Sequence, residues 1–350
     1  MYIEIQGRRV GDSYPVFFIA EAGVNHNGSL ELAKKMVDIA AEAGADAVKF
    51  QTFNTEKIIL PQAPKASYHV ETTGSDHDQS WFNLLKTQEM NRQMHEELIA
   101  HSQKRGIIFL STPYDEESVD LLDELGVPAF KIASTDANNL PFLRFIAGKK
   151  KPILLSTAMC TMEEVAQAVG TIRGEGLEEI IVLQCTGNYP ACLSDSNLRV
   201  ICTYRKSFNC LVGYSDHVPG LINPIAATAL GACVYEKHFT IDKALPGPDH
   251  RMSLSPMELE ETIRVIRMTE KALGSPSKQI SPAEEENRIK LRKSLVAKVG
   301  IPRGAALTRD LITSKRPGTG ISPSRIEEYI GRKALIDIPV NTILRDSMFD

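Results

Sequence analysis

Short apolar runs alternate with amphipathic segments along most of this chain, and the alternation predicts a repeating βα architecture. Apolar runs of about four to eight residues bounded by turn residues are typical of strands buried on both faces. Eight runs meet this description, at residues 16–20, 47–50, 107–111, 129–132, 152–156, 180–185, 211–215 and 233–238. Because helical patterns separate them, the strands are expected to be parallel.

A helical pattern follows each predicted strand, at residues 30–43, 88–104, 116–125, 140–147, 162–173, 198–208, 221–230 and 256–273. Gly44 and Gly126 stand between a helix and the next strand, where glycine commonly ends helices. Eight consecutive units over residues 16–274 match the length of about 250 residues that is usual for a (β/α)8 TIM barrel. A doubly wound open sheet is the alternative, but it usually carries a glycine-rich phosphate turn that this sequence lacks.

The segments outside the βα repeats predict the domain organisation. Residues 1–10 predict a hairpin that closes the bottom of the barrel, and residues 52–87, with Trp81 and a polar stretch at 71–78, predict a mobile lid. We expect a barrel domain at 1–274, a linker at 275–290 and a small second domain at 291–350. The second domain contains a weak repeat, with Ile-Pro and a later leucine at matched spacing in residues 301–310 and 338–346.

Composition narrows the function classes. The chain has 350 residues, 43% of them hydrophobic, and a net charge of −4, so it has no basic field for nucleic acid or an anionic membrane. Neither a signal-peptide core nor a run of about 20 apolar residues occurs, and we expect a cytoplasmic protein. The six cysteines show no Cys-x-x-Cys spacing, which favours reduced core thiols.

Two histidines, His217 and His238, each follow a predicted strand in similar contexts. Parallel neighbouring strands would bring both imidazoles to one edge of the sheet, and neutral imidazole is the commonest protein ligand for metals. With Asp216 and Glu236 beside them, the pair predicts a catalytic metal site with positions open to water and substrate. Either histidine alone would instead indicate a hydrogen-bonded residue at a strand end.

Other polar residues also fall at predicted strand ends, where a TIM barrel places its active site. They are Glu21, Lys49, Gln51, Thr112, Lys131, Ser134, Ser156, Asn188, Tyr189, Ser215 and Glu236. Two lysines and several hydroxyls around one cavity suit a phosphorylated anion. A buried lysine also fits a Schiff-base aldolase, although the histidine pair argues against imine chemistry, which needs no metal.

Nine ordered motifs resemble the sialic acid synthases almost from end to end. They lie at residues 21–28, 49–52, 111–113, 131–134, 155–157, 214–217, 236–240, 246–249 and 315–320. The resemblance implies condensation of phosphoenolpyruvate with an N-acylated mannosamine-type sugar, either ManNAc or 2,4-diacetamido-2,4,6-trideoxymannose. It also implies a divalent metal, with manganese the first expectation and magnesium or cobalt the alternatives. A C-terminal, mostly-β antifreeze-like (SAF) domain swapped across a homodimer is part of the same expectation.

The resemblance also implies residue roles. His217 and His238 would bind the metal, and Arg316 would reach the sugar amide from the partner chain. The residues implied to hold phosphoenolpyruvate are Lys131, Thr112, Ser134, Ser156, Asn188 and Ser215. Those implied to face the sugar and the reacting carbons are Glu21, Lys49, Gln51, Tyr189 and Asp249.

Two positions depart from the family pattern. Gly187 precedes Asn188 where asparagine is expected directly after Cys-Thr, and Asp136 stands where a glutamate can occur. Residues 247–254 are closer to the N-acetylneuraminate and legionaminate branch than to the pseudaminate branch, which stays an alternative. A binding protein whose tail recognises ice or glycan is the remaining alternative, but a binder would have no use for the full set of strand-end residues.

Overall fold

The computed structural model describes residues 1–75 and 79–350. The chain divides into two compact units, Met1–Gly274 and Ser275–Asp350. Residues 76–78, which belong to the predicted lid, lie outside the described residues. Within the described chain, no helix is both long enough and apolar enough to cross a membrane.

The first unit contains ten strands among its described residues: β1 (Tyr2–Ile5), β2 (Arg8–Gly11), β3 (Phe17–Gly23), β4 (Ala47–Thr52), β5 (Ile108–Pro113), β6 (Phe130–Ile132), β7 (Ile153–Ser156), β8 (Ile180–Cys185), β9 (Leu211–Asp216) and β10 (Val234–His238). The eight strands predicted for the barrel are confirmed as β3 to β10. Their ends differ from the prediction by a few residues at most, the largest difference being the end of β3 at Gly23 instead of residue 20.

The helices of the first unit are α1 (Leu30–Glu42), α2 (Thr55–Ile58), α3 (Ser67–Thr73), α4 (Trp81–Lys86), α5 (Arg92–Arg105), α6 (Glu116–Glu124), α7 (Leu140–Gly148), α8 (Met162–Gly174), α9 (Val200–Phe208), α10 (Ile222–Ala229) and α11 (Pro256–Leu273). The eight predicted helices are confirmed as α1 and α5 to α11. Helices α2, α3 and α4 were not predicted, because they are short and lie in the segment expected to be a loop.

The eight strands form one parallel sheet in the order β5-β4-β3-β10-β9-β8-β7-β6. The first strand, β3, pairs with the last, β10, and β5 contacts β6, so the sheet curves into a near-closed TIM barrel. The register places His238 beside Glu21 and Gln51 beside Thr112. The C-terminal ends of the strands therefore meet on one side of the barrel, as the predicted fold requires.

Two apolar layers hold the barrel together. Alternate strand residues such as Phe17, Ile19 and Leu183 fill the interior, where Ile5 and Val10 of the N-terminal hairpin pack against them. The other strand faces pack against the helices in a separate, larger cluster. The antiparallel pairing of β1 with β2 confirms the hairpin, and its buried side chains explain why the barrel bottom is closed.

The second unit is a small β-rich module around the antiparallel strands β11 (Ser294–Ala297) and β12 (Ile312–Lys315), with a short helix α13 (Ile326–Tyr329). The sequence repeat has a structural meaning here. Ile301 and Ile338 form an antiparallel bridge, and Leu307 and Leu344 are fully buried in the same core. Equivalent positions of the two repeats therefore contribute to the same small core. Such a core needs only single buried residues, so the sequence of this unit has few long apolar runs.

The predicted linker is not an extended segment throughout. Helix α12 (Pro282–Leu291) occupies much of it, and the helix starts with a capping box in which Ser281 and Glu284 bond each other's backbone N–H groups. Its residues are exposed, and this explains the charged, turn-like composition that favoured a linker.

Candidate active site

A cavity of about 760 Å³ opens at the C-terminal ends of the barrel strands. Most residues predicted for the site line it, namely Glu21, Lys49, Gln51, Thr112, Lys131, Ser134, Ser156, Tyr189, Ser215, His217, His238 and Asp249. The volume falls in the range of roughly 300–1,000 Å³ that is usual for small-molecule sites. The structure therefore brings residues from across the sequence into one site of substrate size.

Two predicted residues lie elsewhere. Asn188 is exposed and does not line the cavity, although Gly187 and Tyr189 on either side do, so its predicted contact with phosphoenolpyruvate is not supported. Arg316 belongs to the second unit, where it is exposed just after β12.

Strand alternation decides which side chains enter the cavity. Successive residues of a strand point to opposite faces, so Ser215 and His217 face inward while Asp216 faces the helices. There Asp216 accepts hydrogen bonds from the Tyr235 hydroxyl at 2.5 Å and from Asn223 at 3.1 Å, and it pairs with Lys237. The expectation that Asp216 lies beside the metal is therefore wrong, whereas Glu236 does line the cavity.

A chain of opposite charges crosses the cavity floor. Lys49 Nζ lies 2.6 Å from Glu21 Oε2 and 3.7 Å from Glu236 Oε2, and it donates to Thr112 Oγ1 at 2.7 Å. On the other side of Glu236, Lys131 Nζ lies 3.6 Å from Oε1. All four charged side chains are almost fully buried, so their mutual pairing offsets the high cost of removing each charge from water.

Burial and pairing shift the four pKa values differently. Burial raises the pKa of Glu21 to about 7 against the opposing effect of Lys49, so this carboxyl can exchange a proton near neutral pH. Burial also tends to raise the pKa of Glu236, but Lys131 and Lys49 outweigh it and lower the value. Burial lowers the pKa of Lys131, while for Lys49 the two carboxylates outweigh burial and raise it.

The two imidazoles face each other at the ends of β9 and β10, with ring centroids 5.5 Å apart. His217 Nδ1 lies 2.7 Å from the Thr186 carbonyl oxygen, which makes Nδ1 the N–H donor and leaves the Nε2 lone pair available. Nδ1 of His238 is buried and has no hydrogen-bond partner in the described part of the chain. The Tyr189 ring packs against that of His217, with the two ring centroids 4.0 Å apart.

These features fit a divalent metal. One imidazole is held by a backbone carbonyl, as metal-ligating histidines usually are, and the other presents a nitrogen without a hydrogen-bond partner among the described residues. Asp249 Oδ2 lies 3.9 Å from His238 Nδ1, and burial raises the pKa of Asp249 to about 6. Among the described residues no group of three or more potential ligands stands together, so the protein offers two imidazoles.

The cavity hydroxyls differ in how strongly they are engaged. Ser156 Oγ is buried without a partner within the described residues, so it is free to bond a ligand. Ser134 Oγ accepts the backbone N–H of Ala158 at 2.9 Å, and Ser215 donates to Glu236 at 2.9 Å. Ser134 and Thr112 each still hold a hydroxyl proton that can be donated to an anion.

Several residues of the cavity were not predicted from the sequence. Tyr114, Cys185 and Gln88 also line it, and Asp136, noted only as a departure, does too. Tyr114 directly follows β5 and Cys185 ends β8, so position after a strand was a usable signal for both. No comparable signal marks Gln88, because it lies in the long segment between β4 and α5.

The fold and this cavity define a TIM-barrel enzyme. The chain matches the NeuB family over residues 36–278 and the SAF domain over residues 292–350. The N,N'-diacetyllegionaminic acid synthase of Campylobacter jejuni is 45% identical over 330 residues, which cover 94% of this chain and 98% of the relative. The human N-acetylneuraminate-9-phosphate synthase is 39% identical over 352 residues, covering 98% of this chain and 95% of that protein.

A solved structure of a related enzyme has the same fold. The N-acetylneuraminic acid (sialic acid) synthetase of Leptospira borgpetersenii, crystallised with citrate, superposes with a TM-score of 0.72 at 34% identity, covering 82% of this chain and 95% of the other. The chain therefore belongs to the NeuB family and carries a C-terminal SAF domain. It is an enzyme of the sialic acid synthase type.

Proposed function

We propose that this enzyme condenses phosphoenolpyruvate with an N-acylated mannosamine-type sugar and water, and releases a nonulosonic acid and phosphate. The observation that supports it best is that one cavity brings together His217, His238, Lys131 and the Ser156 hydroxyl, which has no hydrogen-bond partner in the described part of the chain. The joining of a phosphorylated enol to an aldehyde needs a site for the phosphate and, next to it, a group that polarises the aldehyde. Lys131 and the hydroxyls would provide the first, and an ion held by the imidazole pair would provide the second. The relatives named as synthases of N,N'-diacetyllegionaminic acid and of N-acetylneuraminate 9-phosphate support the same reaction class.

Phosphoenolpyruvate is assigned to the side of the cavity formed by β6 and β7. Lys131 supplies a buried positive charge there and donates to the Ile132 carbonyl oxygen. Ser134 and Ser156 supply hydroxyl donors beside it. A charge-assisted contact of this kind contributes about 1.5–3 kcal/mol. Thr112 and Ser215 complete the set of donors from the neighbouring strands.

His217 and His238 would hold a divalent ion, for which manganese is the proposed identity and magnesium or cobalt the alternatives. Such an ion supplies Lewis-acid polarisation of the sugar's carbonyl oxygen, worth several kcal/mol in comparable enzymes. Thr186 keeps the His217 ring in the tautomer that this requires, and Tyr189 prevents it from rotating away.

The chemistry then proceeds at carbon. The methylene carbon of phosphoenolpyruvate forms a bond to the aldehyde carbon of the open-chain sugar while the carbonyl π pair moves to the aldehyde oxygen. The resulting cationic C2 takes up water, and the proton that this water loses balances the one that converts the aldehyde oxygen to a hydroxyl. The tetrahedral intermediate expels phosphate by cleavage of the carbon–oxygen bond and leaves a 2-keto acid. Holding two reactants in contact can supply about 7–11 kcal/mol of the barrier, so the positions of Lys131 and the hydroxyls matter as much as the ion.

Glu21 and Lys49 are assigned to the reacting centre. The Glu21 carboxyl titrates near neutral pH, because burial raises its pKa to about 7, and it can accept the proton that water loses when it adds to C2. Lys49 keeps its charge and fixes Glu21, and Gln51 Nε2 donates to the other carboxylate oxygen at 3.3 Å. Asp249 and Tyr189 are assigned to the sugar.

Arg316 is proposed to contact the sugar's N-acyl oxygen from the partner chain of a domain-swapped homodimer. Its guanidinium is exposed at the end of β12, and the following Pro317–Gly320 segment lets the backbone approach another surface closely. This role would explain why so small a module accompanies the barrel.

The rival function on the same barrel is a Schiff-base aldolase. One observation favours it, since burial lowers the pKa of Lys131 and an uncharged amine is the form that attacks a carbonyl. Borohydride treatment with each substrate separates the two functions, because only an imine is trapped as a covalent adduct on the lysine.

A phosphate-release assay tests the proposal. Purified enzyme is given phosphoenolpyruvate with Mn²⁺ and, in separate reactions, ManNAc, 2,4-diacetamido-2,4,6-trideoxymannose or its altrose isomer, the last representing the pseudaminate branch. We expect sugar-dependent phosphate release with one of the first two sugars and no borohydride-trapped adduct. Phosphate release that is independent of every sugar, or a trapped lysine adduct, would contradict it.

A further inference from the structure

The loop that follows β10, at residues 239–254, carries one of the residues assigned to the sugar. Asp249 lies within this loop and lines the cavity. Backbone hydrogen bonds close the base of the loop, from the Leu254 N–H group to the His238 carbonyl oxygen and from the Thr240 N–H group to the Leu254 carbonyl oxygen, both at 2.9 Å. These bonds do not reach Asp249, so other contacts determine where its carboxyl group lies.

Asn25, on the turn between β3 and α1, holds this loop at one place. The residue is 1% exposed, and its Nδ2 group donates to the Phe239 carbonyl oxygen at 2.8 Å and to Ser253 Oγ at 3.0 Å. Ser253 Oγ in turn donates to the Asp249 carbonyl oxygen at 2.6 Å. A single hydroxyl group therefore connects the Asn25 side chain to the backbone of Asp249.

Asn27, on the same turn, holds the loop at a second place. Its Nδ2 group donates to the Pro246 carbonyl oxygen at 2.8 Å and lies 3.3 Å from His250 Nε2. The other ring nitrogen, His250 Nδ1, lies 2.6 Å from Thr240 Oγ1, whose own proton is donated to the Asp242 carbonyl oxygen at 3.1 Å. His250 Nδ1 is therefore the N–H donor of the ring, and Nε2 accepts from Asn27.

The loop packs closely against these two asparagines. A Cβ atom on Gly247 would lie 2.7 Å from His250 Cδ2 and 3.1 Å from Asn27 Oδ1, so only glycine fits there without a shift. His250 is buried, and burial lowers its pKa to about 4, so the ring keeps one donor and one acceptor at physiological pH. The segments before and after Asp249 are thus both fixed to the turn that follows β3.

The position of this turn links Asp249 to the reacting centre. Strand β3, which carries Glu21, pairs with β10, and Asp249 Oδ2 lies 3.9 Å from Nδ1 of His238 at the end of β10. The strands assigned to phosphoenolpyruvate, β6 and β7, are separated from β10 by β8 and β9. A displacement of the loop would therefore affect groups near the sugar first, and a misplacement of about 1 Å can cost about 100-fold in rate.

From these contacts, and resting on the proposed function, we propose that Asn25 and Asn27 are positioning residues for Asp249. Neither asparagine is among the described residues that line the cavity, so neither acts by touching a substrate. They hold the loop after β10 on the turn after β3, which places the Asp249 carboxyl group against the sugar. Loss of either asparagine therefore weakens the binding of the sugar and leaves that of phosphoenolpyruvate nearly unchanged.

The first test is isothermal titration of Asn25→Ala enzyme with Mn²⁺ present. One ligand is phosphoenolpyruvate, and the other is whichever of ManNAc and 2,4-diacetamido-2,4,6-trideoxymannose the wild-type enzyme turns over. We expect the Kd of the sugar to rise about tenfold and that of phosphoenolpyruvate to change less than about twofold. Equal losses for the two ligands, or no loss for the sugar, would overturn the proposal.

Two further variants accompany this test. Asn27→Ala and Ser253→Ala should produce the same selective loss, and they decide the question if Asn25→Ala does not fold. The matched control is Asn91→Ala, which removes the side-chain cap that Asn91 Oδ1 provides for the Met94 N–H group at the start of α5. This control should lower stability without changing either Kd, and a selective sugar loss in it would show that reduced stability alone produces the effect.

The second test is a double-mutant cycle with Asp249→Asn, measured by the same titrations and so independent of activity. If Asn25 acts through Asp249, Asn25→Ala should weaken sugar binding less than about twofold once Asp249 has been replaced. A further loss in the double variant as large as that in the single variant would overturn the proposal and leave the proposed function intact. A wild-type enzyme that turns over neither sugar would overturn both.

Discussion

Lys49 and Glu21 form a buried ion pair, with Nζ 2.6 Å from Oε2, on the adjacent strands β4 and β3. Each is at most 3% exposed at the side chain, so neither charge has water to replace its partner. The pair therefore places a carboxyl of raised pKa in the cavity, next to a lysine that also lies close to Glu236.

Replacement of Lys49 by methionine should cost both activity and stability. Lys49→Met leaves Glu21 and Glu236 buried without their nearest cation, and breaking one side of a buried pair typically lowers the free energy of unfolding by about 3–5 kcal/mol. Urea denaturation of the variant measures this. The double variant Lys49→Met/Glu21→Gln should recover part of the loss, and a double variant no more stable than Lys49→Met would show that the pairing is not what stabilises the floor.

His26 should contribute to acid sensitivity. Burial lowers its pKa from 6.5 to about 4, with a smaller effect from His95, and its Nε2 has no partner among the described residues. The unfolded chain therefore binds a proton at this residue between about pH 6.5 and 4 that the folded protein does not, so stability falls as the pH falls through that window.

The free energy of unfolding, measured from pH 4 to 7 in wild type and His26→Gln, checks this assignment. The wild-type slope should exceed that of the variant by up to one proton, or about 1.4 kcal/mol per pH unit. Identical slopes for the two proteins would place the acid sensitivity elsewhere.

Two substitutions with different effects on stability test the proposed phosphate site. Lys131→Ala should weaken phosphoenolpyruvate binding roughly 10- to 100-fold, because it removes a charge-assisted contact of about 1.5–3 kcal/mol. Ser156→Ala should weaken it by a smaller factor without loss of stability, since Ser156 Oγ has no partner in the described structure. Isothermal titration with each substrate measures both, and equal losses for sugar and phosphoenolpyruvate would show that Lys131 has been placed wrongly.

Arg316 is tested by substitution and by mixing. Arg316→Ala should raise the sugar KM with little change for phosphoenolpyruvate, and Arg303→Ala, an exposed arginine of the same unit, is the control. Heterodimers of Arg316→Ala and His217→Ala chains should regain activity, because one site would combine an intact barrel with an intact arginine from opposite chains. Activity no higher than that of the separate mutants would mean that the arginine acts within its own chain.

The barrel and most of the cavity could be predicted from the sequence, because both follow from the regular spacing of the apolar strands. Apolar runs at regular spacing located β3 to β10, and the residues directly after them, such as Lys131 and His217, met as parallel strands require. The same period explains the error at Asp216, since a residue one position from an inward-facing histidine must face outward. Asn188 does not line the cavity, and the direction of a loop side chain leaves no periodic trace in the sequence.

The cavity wall formed by the segment between β4 and α5 could not be predicted in the same way. Helices α2 and α4 are short, and their residues reach the cavity through packing against distant segments. One such contact is the approach of Gly28 to the Thr87 carbonyl oxygen, where a Cβ atom would lie only 2.3 Å from that oxygen. Contacts of this kind depend on tertiary structure, so Gln88 could be recognised only once the fold was known.

We propose that His217 and His238 hold the ion on which the condensation depends. The most direct measurement is a titration of metal-free enzyme with Mn²⁺, following phosphate release in the presence of phosphoenolpyruvate and sugar alongside metal content per chain. We expect no activity without metal, full recovery at one ion per chain, and neither binding nor recovery in folded His217→Ala or His238→Ala enzyme. Full activity of the wild-type enzyme after exhaustive chelation would contradict it.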